Sequence, residues 1–291
     1  MKYVRPDDAV STYRYLRIAL VALVVFLGAS IVDTRLAATC WQGSISAYYY
    51  TTSHAVFVAT LCAVGVSLIV YQGSSRTEDM LLNFSGTLAF AVALVPTRAP
   101  TLCGPALPTL EDATIGVGNN IRALLIAVAA GAAVYAVIRA VAPDPPTNTV
   151  ARTPRPITLA ESALQAALLT LLIVYFGLFL SRWRWFLDNR HHIAAVAMFV
   201  GIILVVLHYA LYAARGREAN RRRYVGLYLG VAAAMVVTLV LAGLLAFWNR
   251  PLGVLIVEAL LIASFGVFWL VQSFDLWQRE RYPVGSLDDP G

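Results

Sequence analysis

Residues 193–214 read IAAVAMFVGIILVVLHYALYAA, a run of 22 residues without one charged side chain. A helix rises about 1.5 Å per residue, so roughly 20 apolar residues match a hydrocarbon core of about 30 Å. This run meets that length, and it sets the template for the rest of the chain. Seven further apolar runs follow the same pattern, at Tyr15–Val32, Ala55–Tyr71, Met80–Val95, Ile121–Val141, Ile157–Leu180, Tyr224–Phe247 and Leu252–Phe274. The sequence therefore predicts an all-α, polytopic transmembrane helical bundle of about eight transmembrane helices.

Composition agrees. Of 291 residues, 59% are hydrophobic and 13% charged, with a mean hydropathy of +0.72, against about 25% charged in a soluble domain. The formal net charge is +6. The basic residues are almost all arginines in short segments between apolar runs, where they encode topology and do not read as a nucleic-acid surface. Sorted by connecting segment, fifteen fall on one side, among them Arg14, Arg17, Arg76, Arg139, Arg215 and Arg221 to Arg223. Seven fall on the other: Arg35, Arg98, Arg122, Arg182, Arg184, Arg190 and Arg250. Basic residues are retained in the cytoplasm, so both termini are expected inside, in a bacterial cytoplasmic membrane.

A basic start before an apolar run also describes a secretory leader, with Ala37-Ala38-Thr39-Cys40 as its cleavage site. Thr39 fits poorly before the cysteine, and Asp33 and Arg35 interrupt the run, so a retained first helix is expected. Residues 143–157 are rich in proline and threonine and read as a cytoplasmic linker. They divide four crossings in 1–142 from four crossings and a short tail in 158–291.

Candidate chemistry concentrates at the outer ends of the runs. The first outer loop, Cys40 to His54, carries Ser44, Ser46, Tyr48, Tyr49, Tyr50 and His54. Its tyrosines read as interface anchors, or with the serines as a hydrogen-bonding shelf for a lipid head group. A second outer loop is expected at Arg182 to His192, where Arg182, Arg184 and Arg190 suit an anionic head group. Asp188 and His192, four apart, share a face if that stretch is helical. With His54 they resemble a partial metal set, but an aspartate orienting a histidine is the preferred reading, and no metal or cofactor is expected. Glu258 is the deepest acid of the outer half, either a structural latch or a proton-coupling group. His208 lies near the inner end of its run and reads as locally satisfied. Cys40 and Cys103 both fall in outer loops, which makes them a disulfide candidate. No phosphate-binding glycine loop, nucleophile elbow or CxxC pair occurs.

The order Ser44-Ile45-Ser46, Tyr48-Tyr49, Val56-Phe57-Val58, Gly65, Tyr71, Gly73, Asp79, Asn83, Gly86 and Val95-Pro96-Thr97 resembles uncharacterised bacterial polytopic proteins loosely related to the Frag/DRAM/Sfk-like domain-of-unknown-function group. His192 with Ala194-Ala195 and Phe199, then Glu258 with Phe265-Gly266 and Trp269-Leu270, extend the resemblance. It implies a compact bundle and singles out Ser44, Ser46, His192 and Glu258. In such proteins the histidine segment follows the Pro-Thr segment after one outer loop, so the fourth and fifth runs here read as an inserted pair. Eukaryotic relatives of that group are linked to lipid remodelling, which by analogy implies a lipid-facing role.

Three functions follow as expectations. The first is an accessory or lipid-handling protein whose outer polar cavity, lined by Ser44, Ser46, His54, Asp188, His192 and Glu258, binds an anionic lipid head group or small solute. The second is a lipid hydrolase or transferase with His192 as base, Asp188 as its orienting group and Ser46 as nucleophile. The third is a proton-coupled transporter using Glu258. Membrane lipids are the expected partners, nucleic acid is not, and the sequence names no protein partner.

Overall fold

A chain segment placed in hydrocarbon satisfies its backbone N–H and C=O groups locally only as a helix. The apolar runs are helical wherever the structure, a computed structural model, describes them. It describes residues 6–73, 75–98, 100–103, 158–181, 183–215 and 221–281. The expected crossing at Ile121–Val141, the linker at 143–157 and Arg182 lie outside the described residues.

Seven α-helices result: α1 (Pro6–Ala38), α2 (His54–Val70), α3 (Arg76–Leu94), α4 (Leu159–Ser181), α5 (Arg184–Arg215), α6 (Arg221–Phe247) and α7 (Pro251–Arg281), with a 3-10 turn at Ser46–Tyr50 between α1 and α2. No strand occurs among the described residues. Among the described residues five helices are long and apolar enough to cross a membrane: Thr12–Ala38, Leu159–Ser181, Arg184–Arg215, Arg221–Phe247 and Pro251–Asp275. α2 is also apolar but has only 17 residues.

Local chemistry sets the ends. Thr158 and Glu161 form a capping box at α4: Glu161 N–H donates to Thr158 Oγ1 (3.2 Å), and Thr158 N–H donates to Glu161 Oε2 (2.9 Å). Ser75 caps α3 by accepting the Glu78 N–H at 3.2 Å, and Glu78 and Asp79 place negative charge in its first turn. Asn249 takes a left-handed conformation (φ 53°) in the tight link between α6 and α7. Pro251, at the first position of α7, then fits where no N–H partner is needed.

Two boundaries differ from the sequence expectation. α1 continues through Asp33 and Arg35 to Ala38, and the expected loop at 182–192 is helical from Arg184 onward. Hydropathy marks where a chain meets hydrocarbon, whereas a helix continues until its backbone pairing stops. Polar residues such as Asp33, or Arg35 stacked 5.5 Å from the Trp41 ring, extend a helix beyond the apolar zone.

The packing closes on itself. α1 packs on α2, α2 on α3, α3 on α5, α5 on α6, α6 on α7 and α7 on α1, which makes a ring of six; α4 lies outside it against α3 and α5. α3 is the most enclosed member, with Leu81, Leu82, Ser85, Leu88, Ala89, Ala91 and Ala93 at 3% exposure or less. By contrast, only 11% of the apolar window of α4 and 17% of that of α6 are buried. Leu169, Leu171, Ile173, Val236, Val237 and Val240 face outward. An apolar exterior of this extent is what lipid, not water, covers.

Candidate functional site

The ends of α1, α2, α3, α5 and α7 on the Cys40 side of the bundle meet around residues 39–53, and this segment spends its polar groups on holding its own shape. Thr39 turns out of α1 at φ 60°. Cys40 is joined to Cys103 by a disulfide with Cα atoms 6.1 Å apart. Gln42, 2% exposed, donates from Nε2 to Cys103 O (3.1 Å) and accepts from Cys103 N–H at Oε1 (3.2 Å). Ser53 joins Ser30 and Thr34 of α1 through hydroxyl contacts of 2.9 and 2.7 Å.

The three tyrosines are not interface anchors: Tyr48, Tyr49 and Tyr50 are buried. Tyr50 donates its hydroxyl to Thr97 O at 2.6 Å. Burial raises the Tyr48 phenol above its ordinary range, against the opposing effects of the Gln42 N–H and the Arg35 charge. Ser44 Oγ accepts the Ala47 N–H at 3.0 Å and so starts the 3-10 turn. His54 holds the other end of that turn, with Nδ1 2.7 Å from Tyr49 O and its ring centroid 4.3 Å from that of Tyr49.

Glu258 reaches into the same turn from α7. Its Oε2 accepts the Ile45 N–H at 2.7 Å, and the Ser46 N–H also bonds to the carboxylate. The side chain thus acts as the latch between α7 and the segment that joins α1 to α2. Ser44, His54 and Glu258 are therefore tied into the loop's own hydrogen bonding.

The histidine that reaches Ser46 is His191, not His192. His191 is 3% exposed, with Nδ1 2.6 Å from Val95 O and Nε2 2.8 Å from Ser46 Oγ. A carbonyl oxygen only accepts, so Nδ1 carries the proton and Nε2 accepts the Ser46 hydroxyl. His192 is exposed and lies 3.4 Å from Thr97 Oγ1. Asp188 pairs instead with Arg98 at 2.7 Å, with the side chains 53% and 72% exposed, a contact of the kind that contributes about 0–1 kcal/mol. Arg190 lies over the Phe179 ring of α4 at 5.3 Å, and Arg184 is exposed.

Helix register explains the substitution of one histidine for its neighbour. Once 184–192 is helical, His191 falls on the face of Ala194, Met198 and Ile202, all buried, while His192 falls with exposed Val196. Continuing the buried stripe of α5 backward through the supposed loop would have found it. Among the described residues no three His, Cys, Asp or Glu side chains converge as metal ligands.

Beside this end, a groove of about 680 Å³ between α1 and α7 is lined by Leu27, Ile31, Trp41, Ile45, Leu255 and Ala259, among others, a size suited to a small ligand or acyl chain. Its outer lining includes Ile45, the residue before Ser46.

A second polar concentration occupies the opposite end of the bundle. Arg17, Glu78, Gln272 and Asp275 are at most 1% exposed. The Tyr71 hydroxyl bonds to Arg17 and Tyr209, Tyr209 donates to Glu78, and Tyr228 donates to Asp275 Oδ2 at 2.9 Å. Asp79, half-buried, accepts the Gly73 N–H at 2.6 Å, and His208 Nε2 lies 2.7 Å from Ser75 Oγ. Between the two ends sits a small apolar cavity of about 40 Å³ lined by Val64, Met198, Ile202 and Phe265 among others. Sequence reading missed the inner cluster because Arg17 was counted only as a topology signal.

No protein-family model, curated protein or solved structure matches the chain. The seven helices among the described residues, five of them apolar and of membrane-spanning length, are those of a membrane-embedded, multi-pass protein.

Proposed function

We propose that the protein acts on lipids at the outer face of the bacterial cytoplasmic membrane, as a hydrolase or transferase in which Ser46 is the nucleophile and His191 its base. The observation that carries this is the 2.8 Å contact between Ser46 Oγ and His191 Nε2, with Nδ1 held by Val95 O. A serine is a weak nucleophile until a base takes its proton, and that base must be held in one tautomer. Here a backbone carbonyl does the holding, the task first assigned to Asp188. The apolar groove beside Ile45 offers a place for an acyl chain next to Ser46.

A serine-directed fluorophosphonate probe, applied to the purified protein in lipid nanodiscs, labels Ser46. Ser46→Ala abolishes the label and His191→Gln slows it by about 10²–10⁴-fold, the usual contribution of a general base. Absence of labelling at Ser46 in correctly folded protein would remove the enzyme reading.

The binding reading rests on a different observation. Arg184 is exposed at the same end, and the exposed Arg98–Asp188 pair lies nearby, so anionic head groups have cationic partners even without catalysis. The transporter reading finds less support, because Glu258 is engaged with the loop.

Eight crossings with both termini cytoplasmic accord with the arginine count. α1 begins and α7 finishes at the inner end, where Tyr13 bonds to Gln72 and Tyr228 to Asp275. The Cys40–Cys103 bond lies at the other end and forms readily only in an oxidising compartment. Peptide mapping of protein alkylated in intact cells is expected to recover the Cys40 and Cys103 peptides linked. Recovery of both as free thiols would reverse the orientation.

A further inference from the structure

Gln272 is wholly buried, and among the described residues neither its amide nitrogen nor its amide oxygen has a hydrogen-bond partner. Trp269, equally buried, has an indole N–H in the same condition. Three residues apart on α7, the two share one helix face. That face continues three residues on to Asp275, which Tyr228 bonds. Across from it, the Trp269 ring meets Tyr71 edge-on at 5.1 Å, and the Tyr71 hydroxyl bonds to Arg17 and Tyr209. Two buried polar side chains therefore share the α7 face that carries Asp275. Burying an amide without a partner is among the costlier faults a fold can carry.

The chemistry of the unfilled atoms defines the guest. The indole N–H only donates, and the Gln272 amide both donates and accepts. A cation cannot accept from Trp269. An anion cannot donate to the Gln272 carbonyl, and it would sit near the carboxyl groups of Glu78 and Asp275. The guest must be neutral and must both give and take hydrogen bonds. The Trp269 ring is packed against Tyr71 and Phe268 at 5.1 Å and Phe265 at 6.2 Å, so the guest is no larger than a water molecule.

We propose that Gln272 and Trp269 form a buried water site inside the inner half of the ring. Its water links α7 to the hydrogen-bonded chain of Arg17, Tyr71, Tyr209 and Glu78. With two to four polar partners, such a water is a fixed part of the structure. It gives Glu78 and Asp275 a shared hydrogen-bonded medium across α3 and α7, separate from the outer Ser46–His191 pair and independent of what that pair does.

X-ray radiolytic hydroxyl-radical labelling tests the site, because radicals formed from a bound water modify the side chain beside it even where bulk solvent is excluded. In the full-length protein in nanodiscs, Trp269 is expected to oxidise at a rate within about tenfold of Trp183, which is 53% exposed. Gln272→Leu lowers the Trp269 rate by about fivefold or more and leaves Trp183 unchanged, as loss of the water's main partner requires. An unmodified Trp269 in the wild-type protein overturns the proposal, as does unchanged Trp269 labelling in the variant. The wild-type measurement decides even where Gln272→Leu fails to fold, and Gln272→Met, closer in length, repeats the variant arm.

Discussion

Replacing Gly86 by valine is expected to abolish the folded protein. Gly86 of α3 and Gly65 of α2 face each other where the two helices cross. A Cβ at position 86 would lie 2.7 Å from Gly65 O and 2.8 Å from Ile69 Cγ1; one at position 65 would lie 2.8 Å from Gly86 O. Backbone oxygens cannot rotate out of the way, so the helices must separate. Within a membrane, helix association depends on close packing and on small residues that permit it. Overpacking at such a point costs about 1–3 kcal/mol, occasionally more, and the opposing backbone puts Gly86→Val at or above the top of that range. Gly230, with nothing within 4 Å of an added Cβ, is the control. Gly230→Ala is expected to be neutral or slightly stabilising. Thermal unfolding in detergent, read by size-exclusion chromatography, separates the two, and a Gly86→Val protein that melts with the wild type would show that the crossing has room to spare.

The second large effect is expected at Glu78, which is 0% exposed. Its carboxylate accepts the Tyr209 hydroxyl, and Tyr209 in turn bonds to Tyr71, which bonds to Arg17. Glu78→Leu removes the acceptor at one end of this chain and takes away negative charge near a guanidinium that is itself 1% exposed. Breaking a buried charged network from one side costs about 3–5 kcal/mol, because the remaining partners stay desolvated. Glu78→Gln keeps an acceptor oxygen for Tyr209 and loses only the charge. The expected order of melting temperature is wild type above Glu78→Gln above Glu78→Leu. Equal melting of Glu78→Leu and wild type would mean that the network contributes nothing to stability.

Much of the architecture was legible before any coordinates, because crossing a membrane is a local property of about 20 successive side chains. The run at 193–214 lies inside α5, and the runs at Tyr224–Phe247 and Leu252–Phe274 lie inside α6 and α7. The candidate site was legible in part. Ser46 stands at its centre, whereas its partner was assigned one residue too far along, to His192. Asp188 was given a histidine to orient but pairs with Arg98. Ser44 and His54, expected among the cavity lining, bond to the 3-10 turn at Ser46–Tyr50, and Glu258 bonds beside it in the latch role that its depth suggests.

The exchange of His192 for His191 has one cause. Two adjacent residues on a helix point about 100° apart, so composition and spacing in a segment thought to be a loop do not tell which one faces inward. The sequence by itself determined that the chain is helical, apolar on its exterior and polar at its ends, since transfer into lipid is decided residue by residue. Only the tertiary structure decided that six helices close into a ring with α4 outside. It alone brought His191 to Ser46 across 145 positions, and enclosed Glu78 while leaving Asp79 half-buried at the rim. Those outcomes depend on which helix faces pack together, and packing is a property of neighbours that are distant in the chain.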